Sequence, residues 1–388
     1  MSAAAAHAAL MARCEALYED LALGYVGEWK ARAGGKAIGF MPVYFPREIA
    51  HAAGILPVGI MGGADMVEII KGDAYFQSYI CHIPRSTIEL GLAGRLDHLD
   101  GMVFPSICDV IRNLSGMWKL LFPDKLSIYF DLPQNFDEES GGRFYRHDLE
   151  TIAARFAALS GVEATPARLN EAIALYNENR RLVLALYRRR SEAPWQVPTH
   201  ELYLVLRAGV VLEVGEHNQL VEDYLRLVLA LERKPLDNSR VILTGSFCEQ
   251  PPLGLIKALE RAGCYIVDDD YVLVTRWIKG DIPQGDDPLR ALATAYLRDS
   301  REGAFKYQPE GKGEELRQSF RDNRADGVIF AAPSFCDPAL LDRPMLQAQL
   351  DLHKIPYTNF KYAENTGQFQ VIREQAGTFA DSLRLMEA

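Results

Sequence analysis

The chain of 388 residues carries 42 basic and 52 acidic side chains, a formal charge of -10, and 48% hydrophobic residues. That length exceeds what a single hydrophobic core usually serves and predicts two or three domains. The negative balance argues against a nucleic-acid surface, which needs clustered Lys and Arg, and no apolar run is long enough to span a bilayer.

Residues 2–30 intersperse Arg13, Glu15, Glu19 and Asp20 among alanines and leucines, without a basic leader. They are expected to form one amphipathic helix rather than a signal peptide, in a cytoplasmic protein. Gly34-Gly35 breaks that pattern, and a strand over 37–42 is followed by a short helix from Pro46, a stop at Gly54 and a strand over 55–60, which is a βαβ unit. A helix carrying residues 87–92, a strand over 99–104, a helix over 110–121 and a strand over 126–130 complete a first α/β domain.

From about residue 148 to 234 the periodicity is helical, as in Leu169, Ile173 and Tyr176, with no strand pattern. Arg188-Arg189-Arg190 reads there as the solvated end of a helix, where cations suit the dipole. Alternation resumes with a strand over 241–245, a helix over 253–262 and a strand over 265–267 that ends in Asp268-Asp269-Asp270, read as a solvated strand end. A strand from Asp326, a helix over 338–353, a strand around Tyr357-Thr358 and a helix over 374–385 close the chain. The expected fold is α/β, with two Rossmann-like domains whose parallel sheets face a cleft, plus an N-terminal helix and a helical connector. The expected divisions are an N-terminal segment 1–35, a first α/β domain 36–147, a connector 148–236 and a second α/β domain 237–388.

One local pattern occurs once in each half. Asp100-Gly101 leads through a short apolar run into Pro105-Ser106-Ile107-Cys108-Asp109, and Asp326-Gly327 leads likewise into Pro333-Ser334-Phe335-Cys336-Asp337. Each run suits a parallel strand buried on both faces, so Cys108 and Cys336 fall between a strand's carboxyl end and a helix N-terminus, with Asp337 expected as the second helix's N-cap. Cys81 also lies near a helix start, among His82 and Arg85, where a thiol's pKa is expected to fall. Cys14 and Cys264 read as packing residues.

No Walker-type phosphate loop, dinucleotide fingerprint or His-Glu-x-x-His spacing is present, so cysteine is the remaining chemical signal. Three thiolates meeting at a cleft would suit an iron-sulfur cluster, although their wide spacing leaves plain burial open. His82, Arg85 and Arg112 are satisfied polar groups on helices or, beside a cluster, candidates to bind substrate.

Ile80-Cys81-His82-Ile83-Pro84-Arg85, Phe104-Pro105-Ser106-Ile107-Cys108-Asp109 and Ala332-Pro333-Ser334-Phe335-Cys336-Asp337-Pro338 together resemble the 2-hydroxyacyl-CoA dehydratase component D and benzoyl-CoA reductase family, over nearly the whole chain. Leu341-Asp342-Arg343-Pro344-Met345, Phe360-Lys361-Tyr362-Ala363-Glu364-Asn365 and residues 372–379 look closest to the smaller substrate-binding subunit of the reductase branch. The resemblance implies a [4Fe-4S] cluster on Cys81, Cys108 and Cys336, and a larger homologous subunit as partner. It further implies ATPase subunits with their own cluster, ferredoxin as donor, and reduction of benzoyl-CoA to a cyclohexadiene-carboxyl-CoA. Radical dehydration of a 2-hydroxyacyl-CoA on the same scaffold, and a two-lobed binding protein without redox chemistry, remain as alternatives. Cys248, which also follows a strand, is expected not to be a ligand, because its loop lacks the Pro-Ser-x-Cys-Asp context and the family pattern carries three ligands.

Overall fold

The computed structural model describes residues 2–301, 311–363 and 369–387; Glu364 and Asn365 of the motif quoted above lie outside them. Helices α1 (Ala3–Glu19) and α2 (Gly24–Ala33) replace the single N-terminal helix expected. The break has a side-chain cause. Asp20 accepts hydrogen bonds from the Ala22 and Gly24 N–H groups at 3.2 and 2.6 Å, and Leu23 turns the chain at φ 56°.

The first half then runs β1 (Lys36–Phe40), α3 (Arg47–Ala52), β2 (Ile55–Gly59), α4 (His82–Leu92), β3 (Gly101–Pro105), α5 (Asp109–Leu121) and β4 (Leu126–Phe130). Its strands form one parallel sheet in the order β2-β1-β3-β4. After a helical stretch of α6 (Ser140–Ser160), α7 (Pro166–Glu192), α8 (Thr199–Ala208) and α9 (Val214–Leu229), the second half repeats the alternation. It comprises β5 (Ser239–Thr244), α10 (Leu253–Arg261), β6 (Cys264–Asp269), α11 (Pro288–Asp299), α12 (Glu314–Asp322), β7 (Gly327–Pro333), α13 (Asp337–Leu352), β8 (Tyr357–Tyr362) and α14 (Phe369–Glu387). Its sheet is also parallel, in the order β6-β5-β7-β8. The two halves are therefore Rossmann-like units with matching strand order. Every residue of β3 and of β7 is buried, as expected of inner parallel strands covered on both faces.

In each sheet the strand order reverses beside the first strand: β2 pairs on one side of β1 and β3 on the other, and β6 and β7 flank β5 likewise. Such a switch leaves a crevice at the carboxyl ends of the strands. Cys108 follows β3, Cys248 follows β5 and Cys336 follows β7, so all three leave strands that border a switch point.

The helical stretch begins at Ser140, ahead of the expected onset near residue 148. Its helices are a core layer: one continuous apolar cluster contains Phe40 and Val103 from the first sheet, Ile173, Leu202 and Tyr224 from the helices, and Val241 and Ile329 from the second sheet. Two smaller clusters cover the outer faces, one around Met102 and Trp118 and the other around Val328 and Leu350. Helices α11 and α12 have no counterpart in the sequence-based assignment, although Asp287-Pro288 carries an N-cap signal and the Asp287 side chain caps the Arg290 N–H.

Each of the two charge runs read as solvated has one buried member, although Arg188 is exposed as expected. Arg190, at the end of α7, has no exposed surface and pairs with Asp269 at the end of β6. Arg276 lies 3.8 Å above the Tyr187 ring and 3.3 Å from the same carboxylate, while Tyr187 Oη donates to Asp269 at 2.7 Å. Asp270 accepts from the Gly245 and Ser246 N–H groups, and burial raises its pKa to about 7. No helix among the described residues is long and apolar enough to cross a membrane.

Candidate functional site

The repeated sequence pattern builds the same local structure twice. Beyond β3, the Ser106 N–H donates to the carbonyl of Phe130, the last residue of neighbouring β4, at 2.9 Å. Beyond β7, the Ser334 N–H donates to the carbonyl of Tyr362, the last residue of neighbouring β8, at 2.7 Å. Each proline ends the strand, each serine ties the loop to the sheet edge, and the following cysteine becomes the N-cap of a helix: Cys108 for α5 and Cys336 for α13. Asp337 is accordingly the first helical residue and not the N-cap expected. Phe335 makes the Cys336 turn possible by adopting φ 65°, a conformation that L residues rarely take. Cys81 reaches the same kind of position as N-cap of α4.

These segments converge. Cys81, Cys108, Cys248 and Cys336 all line one pocket, together with apolar walls from Met41, Ile83 and Phe335 among others. Asp337 is the single charged residue in that lining among the described residues. Cys336 lies close enough to Cys248 to add to the rise that burial imposes on the Cys248 thiol's pKa. Cys248 comes from the loop after β5, which is held by Asp270 and by the Ser246 hydroxyl donating to the Ala331 carbonyl at 2.8 Å. Cys14 and Cys264 are fully buried elsewhere in the core, and burial pushes each thiol up to about 12.

Electrostatically the pocket favours protonated thiols. Burial raises the Cys81 pKa, reinforced by the nearby Glu249 carboxylate, which reverses the lowering expected from His82 and Arg85. Burial also raises Cys108, against the pull of the Ile111 and Val110 N–H groups, and raises Cys248. His82 is held near 4, first by burial and then by Arg85. Arg85 itself turns to Asp73, donating from Nε at 2.7 Å. Arg112 stands on α5 with its guanidinium 5.5 Å from the Tyr129 ring centre. Neither of these arginines nor His82 belongs to the pocket lining.

No group of three or more His, Cys, Asp or Glu among the described residues stands at metal-binding spacing. The donor set nevertheless fits a sulfur-ligated centre in kind, because four thiols from four separate segments face one apolar pocket, and thiolates are the ligands that iron-sulfur clusters take. Two further residues escape a reading of the sequence alone. Phe335, half exposed, stands at the pocket wall. Glu249, buried and raised by burial to about 7, accepts from the Ile83 N–H at the start of α4. Adjacency to a cysteine is their sole signal in one sequence.

The sequence pattern of the 2-hydroxyglutaryl-CoA dehydratase D-component matches residues 42–383. The C subunit of benzoyl-CoA reductase from Thauera aromatica is 56% identical over 97% of this chain and 98% of its own length. The (R)-phenyllactyl-CoA dehydratase beta subunit of Clostridium sporogenes is 29% identical over 92% of this chain and 95% of its own. For the beta subunit of (R)-2-hydroxyglutaryl-CoA dehydratase from Acidaminococcus fermentans the identity is 28%, with the same coverage. With a matched pattern that covers most of the chain and all four pocket cysteines, the chain belongs to the 2-hydroxyglutaryl-CoA dehydratase D-component family.

Proposed function

We propose that the chain is the iron-sulfur subunit of an ATP-dependent benzoyl-CoA reductase, working with a larger homologous subunit and with ATPase subunits that draw electrons from ferredoxin. The observation that supports this most is the meeting of cysteines from both halves in one apolar pocket, in a chain 56% identical to a benzoyl-CoA reductase subunit. Cys81, Cys108 and Cys336 would hold a [4Fe-4S] cluster, since each caps a helix whose N-terminal dipole favours an anionic group. When bound, the cluster supplies one-electron transfer. The chain's own contribution is to anchor three thiols at rigid strand-to-helix junctions, to keep the pocket walls apolar, and to place Phe335 at the wall. His82, Arg85 and Arg112, on the helices that follow two of the cysteines, are proposed to act toward the thioester substrate once the partner subunit completes the site.

Anaerobic purification followed by iron and acid-labile sulfide analysis tests the cluster. Cys→Ala at 81, 108 or 336 is expected to lose iron and visible absorbance, and any single variant with full iron content removes that residue from the set. A dehydratase role is the second reading, motivated by the dehydratase beta subunits similar over 92% of the chain. Assembled complex offered benzoyl-CoA or a 2-hydroxyacyl-CoA separates the two: water loss from the latter without ring reduction of the former overturns the reductase reading.

A further inference from the structure

Cys81 and Cys108 stand at the N-cap positions of α4 and α5, and neither side chain makes a capping hydrogen bond. On α4 the Ile83 N–H donates instead to Glu249 Oε2 at 3.0 Å, and the His82 N–H acts on the same carboxylate.

Glu249 lies 166 residues away in sequence from Ile83, in the β5 loop of the other half. It is 3% exposed, and its backbone carbonyl accepts from Tyr362 Oη at 2.6 Å, at the end of β8. A buried carboxylate on helix N–H groups makes a charge-assisted cap that is stronger than a neutral one. The cap crosses from one Rossmann-like half to the other and lies directly behind Cys81. It also directly follows Cys248, so one short segment delivers a thiol to the pocket and a clamp to the helix opposite.

We propose that Glu249 is a positioning residue: by occupying the first N–H groups of α4 from across the cleft, it keeps the Cys81 sulfur from turning back over its own helix and holds it on the pocket. The inference takes from the proposed function only that Cys81 is a site residue.

Competitive alkylation of the full-length apo chain, read cysteine by cysteine by mass spectrometry, tests it. Cys14 and Cys264 serve as internal reporters, since both are fully buried away from the pocket and become labelled only when the fold loosens. In Glu249→Ala, loss of a charge-assisted cap is expected to change the Cys81 labelling rate by about tenfold upward, with Cys14 and Cys264 still protected. Glu249→Gln keeps an acceptor oxygen but loses the charge, and is expected to hold the Cys81 rate between those of the native chain and Glu249→Ala. An unchanged Cys81 rate in Glu249→Ala overturns the proposal. So does a rise shared by Cys14 and Cys264, or a Gln variant that behaves as Ala. Should Glu249→Ala yield no folded chain, Glu249→Asp, too short by one methylene to reach α4, replaces it with the same expected outcomes. Iron content of the native chain purified anaerobically, before the apo chain is prepared from it, reads the cluster separately: native chain without iron counts against the cluster and leaves the labelling pattern to decide Glu249.

Discussion

The Cys248 thiol lines the same pocket as Cys336, yet its backbone belongs to a different kind of structure. Cys81, Cys108 and Cys336 are each the N-cap of a helix, whereas Cys248 precedes α10 by several residues and rides on a loop held by Asp270. A helix N-cap combines a fixed backbone with the positive end of a dipole, and only three of the four sulfurs have that combination. Cys248→Ala is therefore expected to retain the iron content and reduced-state EPR spectrum of the native chain. Loss of one iron per chain, or a shifted spectrum, would establish four-cysteine ligation and close the site to exogenous ligands. The three N-cap positions were legible because strand, proline and N-cap chemistry all act within a few residues. The approach of Cys248 was not, because it depends on how β5 and β7 pair in the folded sheet.

Charge runs show the same contrast for whole elements. Arg190 and Asp269 lie on α7 and β6, 79 residues apart, and each is fully buried on the other. A basic run at a helix end and an acidic run at a strand end each have a solvated explanation when taken singly; it is their mutual neutralisation, with Arg276 and Tyr187 added, that allows both to be internal. Removing one partner leaves an uncompensated buried charge. Asp269→Ala is expected to lower the unfolding free energy by about 3–5 kcal/mol, read as a fall in the urea midpoint at unchanged slope. A cost below about 1 kcal/mol would be that of a surface pair and would place this network in contact with water. Break points such as Leu23, at positive φ without glycine or proline, have no sequence signal of the ordinary kind, which is why one N-terminal helix was expected where two exist.

The shared core makes the helical stretch decisive for the whole molecule, since the cluster that joins the two sheets runs through α6 to α9. His217 sits in that layer with no exposed surface. Its Nε2 lies 3.0 Å from the Val205 carbonyl on α8, and its Nδ1 lies 2.7 Å from Asn179 Nδ2 on α7, so one neutral ring links three helices, donating through Nε2 and accepting through Nδ1. Burial holds its pKa near 4, with Arg47 adding to the effect and the Val205 carbonyl opposing it. The unfolded chain releases this proton near the ordinary histidine value of about 6.5. Between those two values the unfolded state binds the extra proton and the native state does not, so stability rises with pH across this window and is lost as pH falls through it. The difference corresponds to about 3 kcal/mol at full development. Unfolding free energies measured by urea titration from pH 7 to pH 4 are expected to decline accordingly. His217→Gln, which keeps a donor and an acceptor but cannot charge, is expected to remove that part of the decline whatever its cost at neutral pH. An identical slope in native chain and variant would mean that His217 protonates as readily folded as unfolded. Because the layer belongs to both sheets, acid unfolding is expected to take both Rossmann-like halves in one transition, seen as coincident curves from far-ultraviolet circular dichroism and from tryptophan fluorescence, which samples Trp118 in the first half and Trp277 in the second.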